Sequence, residues 1–318
     1  MKDILIPFAT GITIFLFGLQ LMRMGFEELA GHRLQEWLIR FTETPTRSFI
    51  TGIISTALLQ SSSAVTVITI SFVDLGLLTF TQSIGIILGA NIGTTVTTEI
   101  LALNIEDFAF PLIVLGIVCY FLPWNKLSSI SFVLIGFGCL FFGMETMQWL
   151  ANPLKNRGII DWLMHQDTSP VMAGILAGTL LTAIIQSSSA TIAIVMGFYS
   201  AGIITLPFAI ACVFGSNIGT CVTGLLATFG TNTAAKQVAI ANVVLNIAGV
   251  LCFAPFVPTI SEFAPTLAHQ PAQQIAHIQT LFNLICSLIV LPFAHPFAKS
   301  IMLLVPHPIH GSLRKKND

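Results

Sequence analysis

Two strings, TALLQSSSAVT at 56–66 and TAIIQSSSATI at 182–192, each place one glutamine and three serines in the middle of an otherwise apolar stretch. Four adjacent polar residues present every side of a helix, so a continuous helix crossing lipid would expose some of them to hydrocarbon. Backbone can break at that depth only where it lines a cavity or is buried in protein, because lipid satisfies no hydrogen bonds. Residues 48–73 and 171–201 therefore each read as a helical hairpin with its tip at QSSS. An arm of roughly 13 residues rises about 19 Å, which reaches the midplane of a hydrocarbon core of about 30 Å and does not cross it.

The rest of the chain makes the same demand for lipid. Hydrophobic residues are 54% of the 318, charged residues 8%, and mean hydropathy is +0.88, against about 25% charged in a typical soluble domain. The expected fold class is an all-α polytopic membrane protein forming one transport domain over 1–318. Further spans are expected at about 4–22, 79–103, 108–123, 127–150, 204–229, 234–257 and 275–304. The N-terminus lacks a basic region and a cleavage site and reads as a retained first helix. The six cysteines fall in apolar runs without paired spacing, which suggests packing rather than disulfides or zinc. A net charge of −1 with no basic cluster argues against nucleic acid.

The chain also repeats itself. Gln60 and Gln186 are 126 residues apart, and GANIGTT (89–95) and GSNIGTC (215–221) are separated by the same 126. FLFGLQLM (15–22) echoes LFFGMETM (140–147) at an offset of 125. Repeat 1 is placed at about 1–126, repeat 2 at about 127–257, and an extra C-terminal helix at about 275–304. With three spans and a re-entrant hairpin in each, the second repeat is expected to be inverted. Lysine and arginine counts agree if the loop 23–47 is cytoplasmic: Arg23, Arg33, Arg40, Arg47, Lys126, Lys236, Arg314, Lys315 and Lys316 face Lys2, Lys155 and Arg157. That puts the N-terminus outside and the C-terminus in the cytoplasm.

Inverted repeats with broken helices at the midplane are the architecture of secondary transporters. The second arm of each hairpin starts at the serines, so its unpaired N–H groups and positive dipole end face the cavity, with hydroxyls as further donors. That is an anion site. No Lys or Arg falls deep inside the expected spans, Lys236 and Lys299 lying near their ends, which calls for a mobile cation to accompany the anion. The Asn and Thr oxygens of the two NIGT strings, with carbonyls freed beside Gly93 and Gly219, are hard ligands suited to an alkali cation. Close helix packing at the glycines is the competing reading. Glu99 is a carboxylate inside an expected span and so a functional candidate by default, with water-facing placement near the span end as the alternative. His277 reads as a proton carrier or a packed histidine, and Asp74 as a loop residue.

The paired QSSS strings, each followed at the same distance by G-A/S-N-I-G-T, resemble the type II sodium-phosphate cotransporter family over nearly the whole chain. The resemblance implies sodium-coupled symport of inorganic phosphate across the cytoplasmic membrane by alternating access. It implies phosphate and sodium binding at QSSS, so Gln60, Ser61, Ser62, Ser63, Gln186, Ser187, Ser188 and Ser189 are the phosphate candidates. Asn91, Thr94, Thr95, Asn217 and Thr220 match its second motif and, with Glu99, are the sodium candidates. It implies no enzyme activity, no cofactor and no metal beyond sodium. The expected partners are phosphate, sodium and the bilayer, and a homodimer is the assembly to test for, each protomer transporting independently. Some bacterial relatives add a cytoplasmic regulatory domain, whereas this chain stops at Asp318. A family Phe-Asn pair is matched either by Leu245-Asn246 or by Phe282-Asn283, and neither receives a role. A passive anion channel and an intramembrane serine hydrolase are the alternatives.

Overall fold

The computed structural model describes residues 2–30, 33–103, 108–122, 125–149 and 170–306, and every regular element among them is helical. The loop carrying Lys155 and Arg157 and the tail carrying Arg314, Lys315 and Lys316 lie outside the described residues. Among the described residues, six helical stretches are long and apolar enough to cross a membrane: Ile6–Leu29, Phe80–Leu101, Leu127–Gln148, Leu206–Leu226, Thr233–Leu267 and Pro271–Leu304. The protein is an all-α polytopic membrane protein. The expected span at 108–123 is shorter than predicted, a helix of 12 residues, α6 (Ala109–Tyr120).

Helix α1 (Lys2–Ala30) is followed by the short α2 (Arg33–Arg40). Among the described residues the stretch 23–47 is thus mostly helical, not a loop, because α1 continues to Ala30, with Gly25 serving close packing on Ser129 rather than a break. This moves Arg23 into the bundle and corrects the expectation that no basic residue lies deep in a span. Helix α7 (Asn125–Gln148) packs along α1. A Cβ on Gly11 would lie 3.1 Å from the Gly143 carbonyl, and one on Gly18 would lie 2.7 Å from the Gly136 carbonyl. Rising numbers in α1 meet falling numbers in α7, so the two run antiparallel. Gly136 and Gly143 are also the residues 125 positions after Gly11 and Gly18, so each glycine packs on the other's counterpart.

The hairpin starts at Thr44, whose hydroxyl accepts from the Arg47 amide, and Pro45 fills the first position of α3 (Pro45–Leu59). Gln60 then adopts the left-handed conformation, φ 53°, and Ser61 caps α4 (Ser62–Asp74) by accepting from the Ala64 amide. A Thr79/Gln82 capping box opens α5 (Phe80–Leu101). Gly85 packs on Pro45 and Ser48, and Gly93 on Thr56, so α3 and α5 are parallel. Since only residues 75–79 join the end of α4 to the start of α5, α4 must return to where α3 began. Asp74 is not a free loop residue: its carboxylate and carbonyl accept from Asn232 N and Nδ2 at 2.7 and 2.9 Å.

The second half repeats this plan in α8 (Pro170–Ile185), α9 (Ser188–Ser200) and α10 (Leu206–Leu226), with Gly219 packed on Thr179 and Thr182. Beyond it, α11 (Thr233–Phe253) runs through a 3₁₀ turn into α12 (Val257–Leu267), and α13 (Pro271–Val290) runs likewise into α14 (Ala294–Leu304). Helices α5 and α10 are the buried centre, with 72% and 67% of their spanning windows buried against 28% for α1. The hairpins are held on this centre at very short range. A Cβ on Gly89 would fall 2.1 Å from the Phe49 carbonyl, and one on Gly215 would fall 2.0 Å from the Ile175 carbonyl. These glycines of the second motif pack helices, as the competing reading holds.

Candidate functional site

The two QSSS tips meet. Gln60, Ser61, Ser62, Ser63, Gln186, Ser187, Ser188 and Ser189 line one small cavity with Arg23, of about 10 Å³. Both glutamines have φ near +55° (Gln60 53°, Gln186 57°), the only positive φ angles on non-glycine residues among the described ones. Such a conformation costs roughly 1–2 kcal/mol and persists where the surroundings dictate it, often at functional sites. At both tips the next residue is a serine N-cap, Ser61 on the Ala64 amide at 3.2 Å and Ser187 on the Ala190 amide at 3.3 Å. The amides of Ser62, Ser63, Ser188 and Ser189 stand in the first turns of α4 and α9 without partners inside those helices. The hydroxyls of these four serines make no hydrogen bond among the described residues.

Arg23 supplies what the sequence reading held to be absent, a fixed cation at the tips. Its Nε donates to the Gln60 carbonyl at 3.2 Å and its Nη2 to Ser187 Oγ at 2.9 Å. Two helix N-termini, four uncommitted hydroxyls and one guanidinium therefore point at a single spot. A guanidinium is planar, always charged and suited to oxyanions. The cavity is about the size needed for one water, so the two tips stand close together. A serine nucleophile would need an activating base, and the residues lining this cavity are Arg, Gln and Ser alone.

The sodium candidates are not gathered here. The NIGT strings lie inside continuous helices, so no carbonyls are freed beside Gly93 or Gly219, which corrects that expectation. Thr94, Thr95 and Thr220 donate to carbonyls of their own helices at 2.8–2.9 Å. Asn217 is buried and donates to the Val213 carbonyl. Asn91 opens on a different cavity of about 260 Å³ between α5, α11 and α13, shared with Asn246, Asn283 and Ser287. Glu99 sits two residues before the end of α5 and is bonded rather than simply wet: Thr280 donates to it at 2.5 Å, and His277 Nδ1 lies 3.0 Å from Oε2. His277 is thus neither an isolated core histidine nor free.

Sequence reading missed a run of three adjacent side chains on α5. Thr97 donates to Gln60 Oε1 at 2.6 Å, Thr98 donates to Gln279 Oε1, and Glu99 takes His277 and Thr280. They tie the first tip through α5 to α13. One signal was available, since Thr97 and Thr223 are also 126 apart. Contact with α13 was not readable from spacing.

Comparison with known proteins gives this arrangement its context. The model of the Na+/Pi-cotransporter family matches residues 14–149 and 155–260, both tips included. The chain belongs to the Na+/Pi-cotransporter family. Among similar proteins, "Uncharacterized protein YqeW" of Bacillus subtilis is 40% identical over 304 residues, covering 95% of this chain and 99% of that protein. "Putative inorganic phosphate export protein YjbB" of Escherichia coli K12 is 28% identical over 297 residues, 93% of this chain but only 54% of that longer protein. "Sodium-dependent phosphate transport protein 2A" of Oryctolagus cuniculus is 37% identical over 97 residues, 30% of this chain and 15% of that one. No solved structure matches the chain.

Proposed function

We propose that this protein moves inorganic phosphate across the cell membrane by alternating access, coupled to sodium, with the oxyanion held between the two QSSS tips and Arg23. The observation that carries this is the convergence of two serine-capped helix N-termini on one guanidinium. The antiparallel packing of α1 and α7 on each other's counterpart glycines supports two repeats inverted in the membrane. Under that arrangement, the hairpins are re-entrant from opposite faces and their tips form one site shared by both halves.

Charge arithmetic supports a coupling ion. Hydrogen phosphate carries two negative charges and Arg23 offers one positive, so an accompanying cation completes neutrality in a medium where unpaired charge is costly. The amide and hydroxyl oxygens of Asn91, Thr94, Thr95, Asn217 and Thr220 remain the neutral hard donors for it. Sodium is named in the family and in the mammalian relative, and export in the bacterial one, so the direction of net flux follows from whichever gradient drives the cycle.

Radiolabelled phosphate flux in proteoliposomes with imposed sodium, potassium and proton gradients tests the proposal. Concentrative phosphate movement that requires a sodium gradient is the expected result. Flux that only dissipates a phosphate gradient would make the protein a channel. Ser62→Ala and Ser188→Ala should each weaken phosphate transport in a folded bundle, and native phosphate affinity in both would remove the tips from the site.

A further inference from the structure

The two tips are built alike but are not held alike. In the first, the Gln60 side chain is buried, its Oε1 accepts from Thr97 Oγ1 at 2.6 Å and its Nε2 donates to the Ala57 carbonyl. In the second, Gln186 is exposed and its side-chain amide makes no hydrogen bond among the described residues. Thr223, 126 residues after Thr97, has its Oγ1 buried without any partner. A buried hydroxyl with no partner is uncommon and calls for a reason.

Helix packing shows what the missing partner is. Gly93 sits against Thr56, and Thr97 stands one turn further along α5, beside Gln60. Gly219 sits against Thr182, the counterpart of Thr56, so Thr223 stands one turn further along α10, beside the second tip. The orphaned hydroxyl and the released glutamine are the two halves of the bond that the first tip makes.

We propose that Thr97 and Thr223 are the positioning residues of the tip glutamines and that they engage alternately. In the state seen here Gln60 is latched on Thr97 and Gln186 is released; in the opposite-facing state Gln186 docks on Thr223 and Gln60 lets go. Each threonine thus acts through a glutamine at the mouth of the anion site and touches no substrate itself. This rests on the transport reading above and names the pair that distinguishes its two end states.

Two measurements test it on the full-length protein. In proteoliposomes, Thr223→Val, which keeps shape and removes the hydroxyl, should lower the maximal phosphate flux at least tenfold while KM changes less than about threefold, and Thr223→Ser should restore the native rate. Native flux in Thr223→Val, or equal loss in the Val and Ser variants, would overturn the latch, the second result marking a packing role. Independently of any substrate, thermal unfolding of Gln60→Ala, Thr97→Val and the double variant should be non-additive, while Gln186→Ala with Thr223→Val should be additive in the phosphate-free protein. Additivity in the first pair overturns the proposal. A native protein that moves no phosphate would refute the proposed function alone, and the thermal cycles would still decide the latch.

Discussion

Arg23 in α1 donates to Ser187 at the second tip, 2.9 Å away across 164 residues of chain, while the same guanidinium holds the carbonyl of the first tip. One side chain therefore bridges both hairpins at the point where phosphate is proposed to bind. Bound oxyanion would take over these bonds, and charge-assisted hydrogen bonds contribute about 1.5–3 kcal/mol each. Arg23→Gln is expected to raise the phosphate KM roughly ten- to a hundredfold, since about 1.4 kcal/mol is a factor of ten. Loss of the fixed charge should also favour the monovalent form of phosphate, so the variant's flux optimum should move to lower pH. Phosphate uptake against pH for native and variant checks both; an unchanged KM excludes Arg23 from the site.

Gln60 occupies a backbone conformation that glycine adopts freely. Replacing it with glycine relieves roughly 1 kcal/mol of strain and removes its two side-chain hydrogen bonds, to Thr97 and Ala57, of about 1 kcal/mol each. Gln60→Gly is thus expected to leave the melting temperature within a few degrees of native yet lower phosphate flux by an order of magnitude or more. Thermal unfolding beside flux measures the two. Loss of both together would show that the glutamine is there for folding.

How much of this was legible beforehand depended on whether the signal lay along the chain or across it. QSSS broke two apolar segments at one spacing, so the hairpins and their tip residues could be read directly. Arg23 could not be placed so easily, because its position depends on how far α1 continues, and MRMGFEELA reads equally as helix or as polar loop. Asp74 looked like a loop residue because its partner, Asn232, is 158 residues distant. The expectation of freed carbonyls at NIGT failed because a glycine in a helix serves close packing as readily as it serves a break, and Gly93 and Gly219 do the former.

Thr56 offers a test of the repeat at the level of single atoms. Its hydroxyl is buried and unpartnered, whereas its counterpart Thr182 donates to Thr191 Oγ1 at 2.8 Å. The residue 126 before Thr191 is Val65, fully buried. Val65→Thr keeps the shape and supplies the missing partner, so it is expected to stabilise the protein by about 1 kcal/mol. Thermal unfolding measures it, with Thr191→Val as the reciprocal destabilising control. A destabilised Val65→Thr would mean the two hairpins differ in geometry at this level.

Glu99 and His277 close the line of contacts that runs from the first tip through Thr97 and Thr98 to α13. Both side chains are about one-third exposed, 32% and 39%, so as a plain ion pair they would contribute at most about 1 kcal/mol. A role in cation coupling would show differently. If sodium passes Glu99, the imidazole competes with it for the carboxylate, and the two residues should have opposite effects. Glu99→Gln keeps an acceptor for Thr280 but loses the charge, and is expected to raise the sodium concentration for half-maximal transport several-fold. His277→Gln removes the competitor and is expected to lower it. Phosphate KM should stay near native in both, since neither touches the tips. Sodium activation curves for the two variants decide the matter: movement in the same direction, or curves that superimpose on native, would reduce the pair to a clasp between α5 and α13.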